Sequence, residues 1–159
     1  MSASSARERL AEAQAALVRA LAQGSSVPTG FDTERVLEAA AALVSKRGRW
    51  VERAWPRLAA ALGASFRSRF EAWARENPME LEASPLVDGR RFADALLATN
   101  SFPDTAREEL LSFELTYRFT EQGLVPRRGF TVKALSVGPV KLLGARLPGG
   151  RILHLRLPL

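Results

Sequence analysis

Residues 130–157 read FTVKALSVGPVKLLGARLPGGRILHLRL, and the fold class turns on the period of that stretch. Phe130, Val132 and Ala134 alternate with Thr131, Lys133 and Leu135. Leu143, Ala145 and Leu147 alternate with Gly144 and Arg146, and Leu153, Leu155 and Leu157 alternate with His154 and Arg156. A period of two is the pattern of a strand with one buried face. Gly138-Pro139 and Pro148-Gly149-Gly150 interrupt the stretch, and such residues mark turns. The sequence therefore predicts an antiparallel meander of three strands with at least one free edge. Its apolar set, with Phe130, is expected to pack inward, and Lys133, Arg146, His154 and Arg156 are expected to face solvent.

The charge distribution changes at the same place. Residues 1–122 hold all 17 acids and 16 of the 23 basic residues, a net of −1. Residues 123–159 carry Arg127, Arg128, Lys133, Lys141, Arg146, Arg151 and Arg156 and no acid, a net of +7. The overall +6 thus belongs to the last 37 residues, and an acidic ligand is its simplest explanation. Coincidence of the two breaks predicts two domains, 1–122 and 123–159.

Upstream of residue 123 the period is helical. Leu10, Ala13, Leu17, Ala20 and Leu21 predict a helix from about Ser5 to Gln23, ended by Gly24 and followed by the linker 25–30. Asp32 is placed to cap a second helix, Thr33 to Trp55, with the stripe Leu37, Ala40, Ala41, Val44, Gly48, Val51 and Trp55. Pro56 opens a third that Gly63 closes. Phe66, Phe70, Trp73 and Ala74 form a core face on a fourth, which stops at Asn77-Pro78. Residues 79–87 are expected to be irregular, Asp88 to cap a fifth helix, and Pro103 to open a sixth that runs through Tyr117 and stops near Gly123. The expected fold is α+β: an all-α bundle of about six helices followed by the small meander.

Catalytic chemistry finds little material. His154 is the sole histidine and there is no cysteine, which removes His-based triads, HExxH sites and thiolate chemistry. No GxxxxGK[ST] or GxGxxG occurs. The acid pairs Glu108/Glu109 and Glu80/Glu82 are expected to be solvated surface. No enzyme activity, metal site or cofactor is expected in this chain, and with no signal peptide or membrane span a cytoplasmic location is expected.

Two surfaces are candidates for partner binding. The basic module could add an extended acidic peptide as a further strand, through Arg127, Arg128, Lys133, Lys141, Arg146, Arg151, His154 and Arg156. A second basic surface is the helical ridge Lys46, Arg49 and Arg53, which Arg57 would extend. Nucleic-acid binding is the alternative, with the segments around Gly63 imitating a helix-turn-helix that presents Arg67, Arg69 and Arg75.

Ala54-Trp55-Pro56-Arg57-Leu58, Leu62-Gly63, Phe66, Phe70, the Asn77-Pro78 stop and Leu86-Val87-Asp88-Gly89-Arg90-Arg91-Phe92-Ala93 together resemble a helical bacterial family. It is the N-terminal domain of the partner proteins of MNIO enzymes, the multinuclear non-heme iron oxygenases that modify ribosomally made peptides; the same domain has also been called a putative DNA-binding domain. The resemblance covers roughly residues 8–120. It implies a non-catalytic partner that binds the iron-dependent maturase, with the iron in that enzyme, while a C-terminal module engages the leader of an acidic precursor peptide.

Overall fold

A computed structural model describes residues 3–78, 84–120, 123–137 and 139–158. The helices are α1 (Ala3–Gln23), α2 (Thr33–Ala54), α3 (Pro56–Leu62), α4 (Ser65–Glu76), α5 (Pro85–Ala98) and α6 (Arg107–Thr116), with a 3-10 turn at Asp104–Ala106. The strands are β1 (Tyr117–Thr120), β2 (Gly123–Pro126), β3 (Thr131–Val137), β4 (Val140–Arg146) and β5 (Ile152–Pro158). Six helices followed by antiparallel sheet is the expected α+β class.

Contacts gather into two compact units, Met1–Arg53 with Ala64–Pro85, and Ala54–Gly63 with Leu86–Leu159. In the first, Asp32 accepts the Arg35 backbone N–H (3.2 Å) and so caps α2. The buried face of α2 is Val36, Arg47, Gly48 and Val51, whereas Leu37 and Ala41 of the expected stripe are exposed. Gly48 lets the Phe70 ring approach: a Cβ there would lie 3.2 Å from Phe70 Cδ1. Arg47 beside it is buried, stacks over Trp73 (5.2 Å), and donates to the Asn77 carbonyl (2.8 Å). Phe66, Phe70 and Ala74 form the predicted core face of α4.

In the second unit, Pro56 occupies the first turn of α3, where its missing N–H costs nothing. Trp55 offers α3 no side-chain cap. The Glu109 carboxylate of α6 takes that role, accepting the N–H groups of Arg57 (3.1 Å) and Leu58 (2.8 Å). Trp55 is 1% exposed; its Nε1–H donates to the Leu86 carbonyl (3.3 Å) and its ring lies 5.0 Å from Phe113. Gly89 is needed there, because a Cβ at that position would overlap the indole. Asp88 does not cap α5, which already begins at Pro85; it sits buried in the first turn. Part of the expected irregular segment, residues 79–83, lies outside the described residues.

The sixth helix stops at Thr116, earlier than predicted, and the chain turns into the hairpin β1–β2, with Tyr117 opposite Pro126 and Thr120 opposite Gly123. The predicted meander is present, in order β3-β4-β5 and antiparallel throughout. Gly149 and Gly150, both at positive φ, form the β4–β5 turn; Gly138, at the other turn, lies outside the described residues.

The facing of the meander is opposite to that expected. Cross-strand partners place Thr131/Arg146/Ile152, Lys133/Gly144/His154 and Leu135/Leu142/Arg156 on one face. That face meets α6, where Leu111, Leu115 and Leu142 form a buried cluster flanked by Leu135 and Ile152. The other face holds Val132/Ala145/Leu153, Ala134/Leu143/Leu155 and Ser136/Lys141/Leu157. Phe130, expected inward, is 64% exposed. Gly144 supplies a reason: it leaves room for α6 at the sheet centre, since a Cβ there would lie 2.5 Å from Leu115 Cδ1 and 3.0 Å from Leu111 Cδ2. Of the polar groups turned inward, Lys133, His154 and Arg156 are matched by partners on α6.

Candidate peptide and partner surface

Those partners decide how much of the basic module is available. Arg156 donates to Glu108 through Nε (2.9 Å) and Nη2 (2.6 Å), and Arg57 donates to the same carboxylate at 2.7 Å. Hydrogen bonds from Arg156 hold the Glu108 carboxyl below its ordinary value, against the opposing effect of partial burial, and Arg57 adds to the lowering. Glu108 and Glu109 are therefore engaged and half-buried, and the expectation of solvated carboxylates fails for both. Glu80 and Glu82 lie outside the described residues. Lys133 pairs with Glu114 of α6 (3.4 Å), and His154 Nε2 lies 3.1 Å from Ser112 Oγ.

Arg127 and Arg146 are bound to backbone. The Arg127 Nε–H donates to the carbonyls of Glu114 (2.8 Å) and Tyr117 (3.0 Å), so this side chain ties the hairpin to the end of α6. Arg146 Nη1 donates to the Gly129 carbonyl (3.0 Å). Arg128, Lys141 and Arg151 are exposed, and none of their side chains forms an ion pair or hydrogen bond with the described residues.

The structure adds one cation that helical periodicity hid. Arg118, on β1, is exposed and likewise unpaired among the described residues. With Thr120, Val125, Pro126, Arg127, Arg128 and Thr131 it lines an open cleft of about 640 Å³ beside the β1–β2 hairpin. Two unpaired guanidinium groups lining one cleft suit carboxylates, which they can grip in bidentate fashion. Beyond the cleft, β3 and β5 each pair on one side only, so each offers unpaired backbone for strand addition.

The second basic surface is more diluted. Lys46 Nζ sits 4.9 Å over the Trp50 ring, Arg49 Nη1 lies 3.5 Å from Ser45 Oγ, and Arg53 is exposed. The Arg57 guanidinium is held by Glu108. On α4, Arg67 and Arg75 pair with Glu52 (4.0 Å) and Glu71 (3.8 Å), while Arg69 is exposed. Among the described residues no group of three or more His, Asp or Glu side chains is placed to hold a metal, and no helix is long and apolar enough to cross a membrane.

Comparison with known proteins places the helical part. The family described as SCO6045-like, C-terminal domain matches residues 11–98, more than half of the chain. A protein of Streptomyces avermitilis described as a UPF0276 protein is 45% identical over 74 residues, which are 46% of this chain and 15% of that protein. The chain thus spans about 15% of the length of the curated relative it matches. No solved structure matches it.

Proposed function

We propose, on the premise that the chain belongs to the SCO6045-like, C-terminal domain family, that it is a non-catalytic partner module. In this reading it binds an iron oxygenase of the MNIO type and helps present an acidic, ribosomally made precursor peptide to that enzyme. The observation that carries the proposal is the relative in which a 74-residue segment similar to this chain makes up 15% of a longer protein. Covalent attachment raises the effective concentration of a module at the rest of its chain. A segment joined in that way is suited to binding and presenting rather than to chemistry, which supports the partner reading.

The peptide half of the proposal draws on the cleft and the sheet edges. An acidic segment entering the cleft would set carboxylates against Arg118 and Arg128, and its backbone could continue along the unpaired side of β3 or β5. Both contacts orient a substrate without any chemistry from this chain. The reaction, and the iron it needs, would lie in the enzyme.

Co-expression of the tagged chain with an iron oxygenase encoded beside it is the direct test. Stable co-purification, with peptide modification lost when the chain is left out, is the expected result. The double variant Arg118→Glu/Arg128→Glu should still co-purify yet modify the precursor at least ~10-fold more slowly, since charge-assisted contacts are each worth about 1.5–3 kcal/mol. A chain that runs alone in the presence of such an enzyme overturns the proposal.

A further inference from the structure

The outer face of the β3-β4-β5 sheet is the largest feature that the cleft does not absorb. Its nine grid positions include Val132, Ala134, Leu143, Ala145, Leu153, Leu155 and Leu157, and Phe130 extends the row of β3. Val132 and Leu155 are 55% and 56% exposed, and Leu153 and Leu157 are exposed as well. The largest apolar patch on a monomer, of roughly 300–600 Å², is often functional. We propose that this face docks an acidic amphipathic helix of a partner protein, which covers it as α6 covers the inner face.

Size argues for one helix. Strands of seven residues at ~3.4 Å rise and ~4.8 Å spacing give a face about 24 Å long and 14 Å wide, roughly 340 Å². That is one helix, ~10 Å across, laid over three strands. Stacking against a second copy would bury a similarly small area, about 700 Å² in total, so charge rather than area decides between the two occupants. Such stacking would also set Lys141 against the same basic face of the copy.

Charge argues for acid. Lys141 sits within the outer grid and Arg151 in the turn beside it, both unpaired among the described residues, and residues 123–159 contain no carboxylate. The inner face shows how this sheet is covered. There α6 sets Leu111 and Leu115 over Leu142 and Gly144, and flanks them with Glu108 on Arg156 and Glu114 on Lys133. A leucine stripe flanked by glutamates would match the outer leucines in the same way, with Lys141 and Arg151 for its acids. Bases are poorly served, because Phe130 is the sole aromatic in residues 123–159 and aliphatic side chains offer no stacking plane.

The inference takes from the proposed function only that a protein partner exists, so a failed co-purification with an iron oxygenase and a failed titration here are separate results. The full chain is titrated by fluorescence anisotropy into a labelled synthetic helix with leucines on one stripe and glutamates along both flanks. Saturable binding is expected, with a lysine-for-glutamate version of the peptide at least ~10-fold weaker. Leu155→Asp should weaken binding by ~10-fold or more and Lys141→Glu by several-fold, while Leu37→Asp, an exposed leucine of α2, should leave it unchanged. Unchanged thermal midpoints confirm that the variants fold. Absence of saturable binding, equal binding of the lysine peptide, or indifference to Leu155→Asp each overturns the proposal. So does a wild-type dimer that Leu155→Asp dissociates, or an oligonucleotide that competes for the face.

Discussion

Replacing Leu142 and Leu155 separately by alanine gives a direct reading of which way the meander faces. The two leucines stand on the same sheet, yet Leu142 is 4% exposed inside the α6 cluster and Leu155 is 56% exposed on the outer grid. Truncating a buried leucine costs ~2–5 kcal/mol, through lost transfer energy and the cavity left behind. The cluster around Leu142 is one layer of helix on one layer of sheet, with Leu135 and Ile152 at its rim able to close part of the gap. A cost of about 3 kcal/mol is therefore expected for Leu142→Ala, and within ~0.5 kcal/mol of zero for Leu155→Ala. In urea titrations followed by far-UV circular dichroism, with a slope of ~2 kcal/mol/M, the first should shift the midpoint by about 1.5 M and the second barely at all. Had the alternation of the sequence set the facing, Leu155 would be the expensive position. A larger loss for Leu155→Ala than for Leu142→Ala refutes the packing described here.

Other substitutions test single contacts. Gly89→Ala would drive a methyl into the buried Trp55 indole and should cost ~1–3 kcal/mol, with a red shift of tryptophan emission as the ring is displaced. Gly144→Val should be worse than Gly144→Ala, since each added carbon meets Leu115 and Leu111, and the difference is measurable as successive falls in thermal midpoint. Arg47→Met keeps much of the apolar stem but strands the Asn77 carbonyl, for an expected loss of ~1–3 kcal/mol in urea titration. Glu108 tests the α6–β5 link. Its folded-state value is lowered, so its stabilisation is fully present above the unfolded value of ~4.3 and is lost as pH falls through the lower folded value. Glu108→Gln should cost about 1 kcal/mol near neutral pH and progressively less below about pH 4, and a pH-independent difference would remove this account.

The helical punctuation was legible because it is local. Gly24, the Asp32 cap, Pro56 in a first turn, Gly63 and the Asn77-Pro78 stop each act within one turn of helix, and each stands where expected. The β1–β2 hairpin was not legible. Tyr117 and Phe119 alternate with Arg118 and Thr120, but the helical stripe of Leu110, Leu111 and Leu115 runs straight into them, and Glu121-Gln122 carries no turn signal. Arg118 went unnoticed for that reason. The facing of β5 was misread because periodicity sees only hydrophobicity: Leu153, Leu155 and Leu157 look buried until Arg156 and His154 find Glu108 and Ser112, more than forty residues away. One signal was available. A glycine inside a strand marks close backbone approach, and Gly144 shares its face with Lys133 and His154 rather than with the leucines of β5.

The same inversion changes what the charge of the last 37 residues means. Their formal +7 suggests a strongly positive surface, but Arg156 and Lys133 are paired with Glu108 and Glu114, while the guanidinium groups of Arg127 and Arg146 are tied to backbone carbonyls. What remains outward is Arg128, Lys141 and Arg151, joined by Arg118 from outside the segment, spread over a cleft, a sheet face and a turn. A ligand held by phosphates alone would release about one counterion per neutralised charge, giving a steep log–log salt slope that approaches the number of contacts. Four dispersed cations beside an apolar face instead predict a shallow slope for acidic peptide, about −2 or less. They also predict an affinity that survives moderate salt, because the apolar contacts are unscreened. Binding of the acidic helix peptide that collapses by ~10³-fold between 50 and 200 mM salt would mean that charge alone holds it, and would remove the apolar face from the account.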